Sequence, residues 1–112
     1  MIFNIGVDIE EISRFKNKDK KIFEKIFTER ELRKMENKNA QHIAGIFSAK
    51  EAIIKACNPI AKLKLKDIEV FNRKDNSPYA IIKFGKIKVK DLKISISHTK
   101  QHSIGAAILL RR

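Results

Sequence analysis

Between Ile43 and Cys57 the chain reads IAGIFSAKEAIIKAC, with apolar residues three and four apart. That spacing predicts a helix buried around most of its circumference. Asn37 to Asn39 breaks the pattern before it and Asn58-Pro59 stops it, since proline cannot continue a helix. Lys50, Glu51 and Lys55 are its only charges. Glu51 and Lys55 stand one turn apart and share a face, an arrangement that a plain i,i+4 ion pair worth about 0.2–0.5 kcal/mol also explains.

Before this helix, Ile2 to Ile9 alternates loosely, with Ile5, Val7 and Ile9 on one side. It predicts a strand ending near Asp8, in which Gly6 lets the strand bend or another group approach. Asp8 lies between Val7 and Ile9. A carboxylate flanked by burial needs a partner or a metal, unless it only caps the following turn. Two short helices follow, one over Lys20 to Ile26 and one opened by Thr28 with Glu31 three residues on, a capping box. Phe15, Ile22, Phe23, Ile26, Phe27, Leu32 and Met35 form their apolar stripe. Arg14, Lys20, Lys21, Lys25, Arg30, Arg33 and Lys34 are left as a basic outer surface.

Beyond Pro59 the period changes. Ile68, Val70 and Phe71, then Tyr79, Ile81, Ile82 and Phe84, flank Asp75-Asn76-Ser77-Pro78, a turn between paired strands. Leu92 to Ser97 alternates, and Ile104 to Leu110 suits a buried strand. Helices in the first half and antiparallel strands in the second predict an α+β domain, helices packed on a small antiparallel sheet.

The chain has 112 residues, enough for a single domain over 1–112 with one core. No apolar run approaches the roughly 18 residues of a membrane span. The start, MIFNIGVDI, lacks the basic region of a secretory signal, so a cytoplasmic protein is expected. Cys57 is the single cysteine, and its place on the apolar stripe predicts a buried, inert thiol. Lys and Arg number 25 against 13 acids, a net charge of +12 that calls for a polyanionic partner. A small nucleic-acid-binding protein is the reading that charge alone supports. It leaves Asp8 and Glu51 unexplained, and no RNP, KH or zinc signature is present.

Three segments carry the sharper signal: GVDIEEISRF at Gly6–Phe15, FSAKEAIIKA at Phe47–Ala56, and ISISHTKQHSIGAAILL at Ile94–Leu110. In order and spacing they resemble holo-acyl-carrier-protein synthase, the small bacterial type of 4′-phosphopantetheinyl transferase, over nearly the whole chain. TEREL at Thr28–Leu32 and KDIEV at Lys66–Val70 resemble the segments between. The resemblance implies the phosphopantetheinyl transferase fold and transfer of 4′-phosphopantetheine from coenzyme A to a serine of the acyl carrier protein, leaving adenosine 3′,5′-bisphosphate, a step of fatty acid biosynthesis.

By the motif, Asp8 and Glu51 are the ligands of Mg²⁺, a cation that favours one or two carboxylates plus substrate oxygens and water. Glu51 and Lys55 are the catalytic pair, the lysine offsetting charge on phosphoryl oxygens. Lys50, Lys55 and His98 contact coenzyme A. The proton of the attacking serine passes to Glu51, to a metal-bound water or to a water held by Asp8. The position before Phe47, commonly arginine in the family, is Ile46 here. A cation to replace it is expected from Lys50 or from a neighbouring subunit, since the family resembles trimers with coenzyme A at subunit boundaries. Arg14 matches the family's basic position facing the acidic carrier protein.

Overall fold

A computed structural model describes residues 1–17, 19–83, 85 and 87–111. Strand β1 (Ile2–Glu11) turns through a short 3-10 helix, Ile12–Phe15, into α1 (Lys20–Ile26), α2 (Glu29–Lys34) and α3 (Ala40–Cys57). The hairpin β2 (Ile68–Asn72) and β3 (Pro78–Ile82) follows, then β4 (Leu92–His98) and β5 (His102–Arg111). The α+β prediction holds, with two antiparallel sheets in place of one: β1-β5-β4, and β2-β3. No helix among the described residues is long and apolar enough to cross a membrane.

The local signals act as the sequence suggests. Asn39 caps α3, its side chain accepting from the His42 amide at 2.9 Å. Thr28 and Glu31 form the capping box of α2. In the hairpin turn Asp75 accepts from the Ser77 amide and hydroxyl, and Asn76 takes a positive φ of 70°, which asparagine tolerates better than most residues. Phe84, grouped with this hairpin from its sequence, lies outside the described residues.

Strand β1 departs from expectation twice. It continues past Asp8 to Glu11, paired along its whole length with β5. Its apolar residues face outward: Ile5 is 68% exposed, Val7 53% and Ile9 60%. The inward face, against α3, is Asn4, Gly6, Asp8 and Glu10. β5 is likewise buried on one side only, with Ala107 and Leu109 inward and Ile104 and Ile108 outward. Ile22, read as part of the helical stripe, is exposed as well.

The core lies between α3 and the three-stranded sheet, walled by Phe15, Phe23, Phe27 and Met35 from the N-terminal helices and by Ile68 and Val70 of β2. Cys57 is fully buried there, and burial pushes its thiol up to about 11.

Candidate active site

Two glycines bring the helix down onto the sheet. A Cβ on Gly6 would stand 1.9 Å from the Ala52 carbonyl oxygen, and one on Gly105 would stand 2.3 Å from that of Ser48. Any side chain at either strand position would push α3 away, so glycine below and Ser48, Ala52 and Ala56 above define a close contact. Asp8 pairs with Gly105 across the strands and is two residues beyond Gly6. It therefore sits at the margin of this contact, where Glu51 and Lys55 leave the helix.

Lys55 Nζ donates to the Val7 carbonyl at 2.9 Å and to Asp8 Oδ1 at 3.5 Å. Asp8 Oδ2 is buried with no hydrogen-bond partner. Burial raises the Glu51 carboxyl above its usual range, and the charge of Asp8 adds to it against the pull of Lys55. Glu10, unremarked in the sequence, completes the cluster: burial first, then its contact with Asp8 and that group's charge, lift its carboxyl to about 7, with Arg14 opposing. A buried carboxylate oxygen lacking a donor, beside two further acids, forms a place where a cation relieves repulsion. Among the described residues no group of three or more His, Cys, Asp and Glu encloses a metal. The donor set is that of a cation held by few protein oxygens and completed by a ligand, which is how Mg²⁺ is usually bound.

The structure removes Lys50 from the ligand-facing set. Its side chain is fully buried, and Nζ donates to Glu31 Oε1 and lies 5.3 Å from the centre of the Phe27 ring. Glu31 is also buried and accepts from the Thr28 amide and, through Oε2, from the Val70 amide. Glu69 accepts from the Thr28 hydroxyl at 2.6 Å and from Arg30 at 3.1 Å. These groups tie α3 to α2 and β2. The sequence marked Thr28–Glu31 as a cap; it carried no sign that the same glutamate neutralises a lysine 19 residues on.

His98 is placed elsewhere. It ends β4 with its Nε2 2.7 Å from the Gln41 amide nitrogen, a contact in which the amide donates and the ring nitrogen accepts. Across the sheet it is in register with Ser103 and, beyond that, Glu10. At about 4.8 Å per strand step, His98 and Glu10 are about 10 Å apart at Cα. Helix α3 lies across β1 and β5, with Lys55 of its last turn at Asp8 and Gln41 of its first turn at His98. Ile46, about 140° around the helix from Glu51, borders a groove of about 630 Å³. Arg30, Arg33, Lys34, Lys38, Arg73 and Lys74 line that groove. Cations of the same chain therefore line the groove that Ile46 borders.

The sequence matches the model of the 4′-phosphopantetheinyl transferase superfamily over residues 4–107. Holo-[acyl-carrier-protein] synthase of Clostridium tetani is 45% identical, covering 97% of this chain and 96% of its own.

The chain belongs to the 4′-phosphopantetheinyl transferase superfamily.

Within it, the chain falls among the holo-[acyl-carrier-protein] synthases, as the sequence resemblance implied. The Thermoanaerobacter sp. (strain X514) synthase is 38% identical over 95% of this chain and 86% of its own. The transferase fold is equally clear from solved structures. A Bacillus anthracis holo-(acyl-carrier-protein) synthase in complex with CoA (3′,5′-ADP) superposes with a TM-score of 0.79, at 32% identity over 95% of this chain and 94% of that one. The Helicobacter pylori synthase in complex with coenzyme A gives 0.78, at 30% identity over 96% and 99%.

Proposed function

We propose that this transferase moves the 4′-phosphopantetheine group of coenzyme A onto a serine hydroxyl of apo-acyl carrier protein. It releases adenosine 3′,5′-bisphosphate, with Mg²⁺ as cofactor, in fatty acid biosynthesis in the cytoplasm. The observation that carries the reading is the meeting of Asp8, Glu51 and Lys55, with Asp8 Oδ2 buried and lacking a donor. Asp8 and Glu51 would hold Mg²⁺, which neutralises diphosphate charge when bound. Lys55, half exposed and anchored on the Val7 carbonyl, is available to phosphoryl oxygens. The serine oxygen forms the new bond to phosphorus while the bond from phosphorus to the bridging diphosphate oxygen breaks. The serine proton goes to Glu51 or to water held by Asp8.

We further propose a single transferase domain acting as a homotrimer. Phe3, Ile5, Val7 and Ile9 of β1 and Ile104 and Ile108 of β5 form a continuous outward apolar face, more than a lone small domain ordinarily leaves in water. His98 meets the first turn of α3 and Asp8 the last, about 20 Å apart along the helix, so a ligand touching both sets is best served by two neighbouring chains. In that arrangement the groove cations around Ile46 take the part expected of Lys50. Arg14, exposed at the end of the strand that carries Asp8, would meet the acidic carrier protein beside the cation site.

The deciding experiment mixes the protein with coenzyme A, Mg²⁺ and apo-carrier protein and weighs the carrier intact. A phosphopantetheine-sized gain is expected, absent without Mg²⁺; no gain with any acyl carrier protein overturns the reading.

A further inference from the structure

Glu10 is the acid of the β1 inward face that the transferase chemistry leaves unused. Its Oε1 accepts from Arg14 Nη1 at 2.7 Å, with the glutamate side chain 10% exposed and the arginine 63%. The pair is not a surface contact between two mobile side chains. Glu10 is pinned in the strand opposite Ser103, itself fully buried, and the chain bends directly after it, from extended Glu11 into the turn holding Arg14. The buried end thus fixes the exposed end. A guanidinium has five donors in a planar fork. One nitrogen spent on Glu10 leaves others turned to solvent, able to take a carboxylate from an incoming molecule with the arginine already ordered.

We propose that Glu10 is a positioning residue for the carrier protein: it holds Arg14 so that the open edge of the guanidinium receives an acidic side chain of the carrier next to Asp8. This inference rests on the transferase reading. It differs from a general charge effect in sign. Removing a negative charge from a surface that attracts an acidic partner tightens binding by steering alone, whereas releasing Arg14 from its anchor weakens it.

The test compares wild type, Glu10→Gln, Arg14→Ala and the double variant. Calorimetry with apo-carrier protein, without coenzyme A or divalent cation, gives Kd, and steady-state transfer gives KM and kcat. Glu10→Gln is expected to raise the carrier Kd, measured without divalent cation, and the carrier KM by about 3- to 10-fold. In the Arg14→Ala background the same change should have no effect on carrier binding. Tighter carrier binding by Glu10→Gln, additivity with Arg14→Ala, or a loss confined to kcat overturns the proposal while leaving the transferase reading in place. Absence of any transfer by wild type removes both. Glu10→Asp, which keeps the charge on a shorter side chain, should recover part of the lost affinity relative to Glu10→Ala; equal losses in these two also count against it.

Discussion

Lys50 and Glu51 are adjacent in sequence, yet the 100° step between them around α3 puts the first in the core against Glu31 and the second beside Asp8. Lys50→Met should therefore behave as a core lesion. It leaves Glu31 charged and buried without its partner, at a cost of about 3–5 kcal/mol. Urea denaturation measures this, and coenzyme A affinity of the folded fraction should be unchanged. Asp8→Ala and Glu51→Ala predict the opposite split. Each should lower transfer by at least about 100-fold without a loss of melting temperature, and Asp8→Ala should raise it in metal-free buffer by relieving carboxylate repulsion. Full activity in either variant would remove the metal-ligand assignment. The Cys57 thiol is held protonated up to about 11, against an ordinary 9.0. Its folded pKa is raised, so its contribution to stability is present below about 9 and is lost as pH climbs from there through about 11. At pH 8 a thiol reagent should leave the native protein unlabelled and react fully in denaturant.

At the scale of elements, the site depends on how closely α3 lies on β1 and β5. Gly6→Ala and Gly105→Ala each place a methyl group on helix backbone. Backbone cannot rotate away, so each should destabilise by about 1–3 kcal/mol or more and reduce transfer by parting Asp8 from Glu51. Gly85→Ala, with nothing within 4 Å of the added carbon, is the control and should change neither melting temperature nor activity. A glycine within the predicted first strand already marked Gly6 as a place where the strand bends or another group approaches. The partner that approaches, the Ala52 carbonyl, is visible only once the helix is docked.

For the whole molecule, the outward faces of β1 and β5 make assembly testable. Ile5→Lys, at a position 68% exposed in one chain, should leave the isolated fold intact, give a monomer in sedimentation, and abolish transfer if the site spans two chains. A trimeric Ile5→Lys protein, or a fully active monomer, would contradict the proposed arrangement. The sequence by itself determined the elements and, strand ends apart, their limits. Short-range chemistry sets these: Asn39 and Asn58-Pro59 bound α3, Thr28 with Glu31 opens α2, and Asp75 to Ser77 turns the hairpin. It also carried the motif residues Asp8, Glu51 and Lys55, because their spacing along the chain is itself the signal. Tertiary structure alone decided which way each face points. Alternation in β1 shows that the strand has two faces, but α3 covers the polar one, since only Gly6 admits the helix backbone. A helix apolar around most of its circumference likewise does not say which lysine goes inward. Glu31, brought in from α2, supplies the countercharge that lets Lys50 be buried, and a contact between residues so far apart in the chain leaves no local pattern to read.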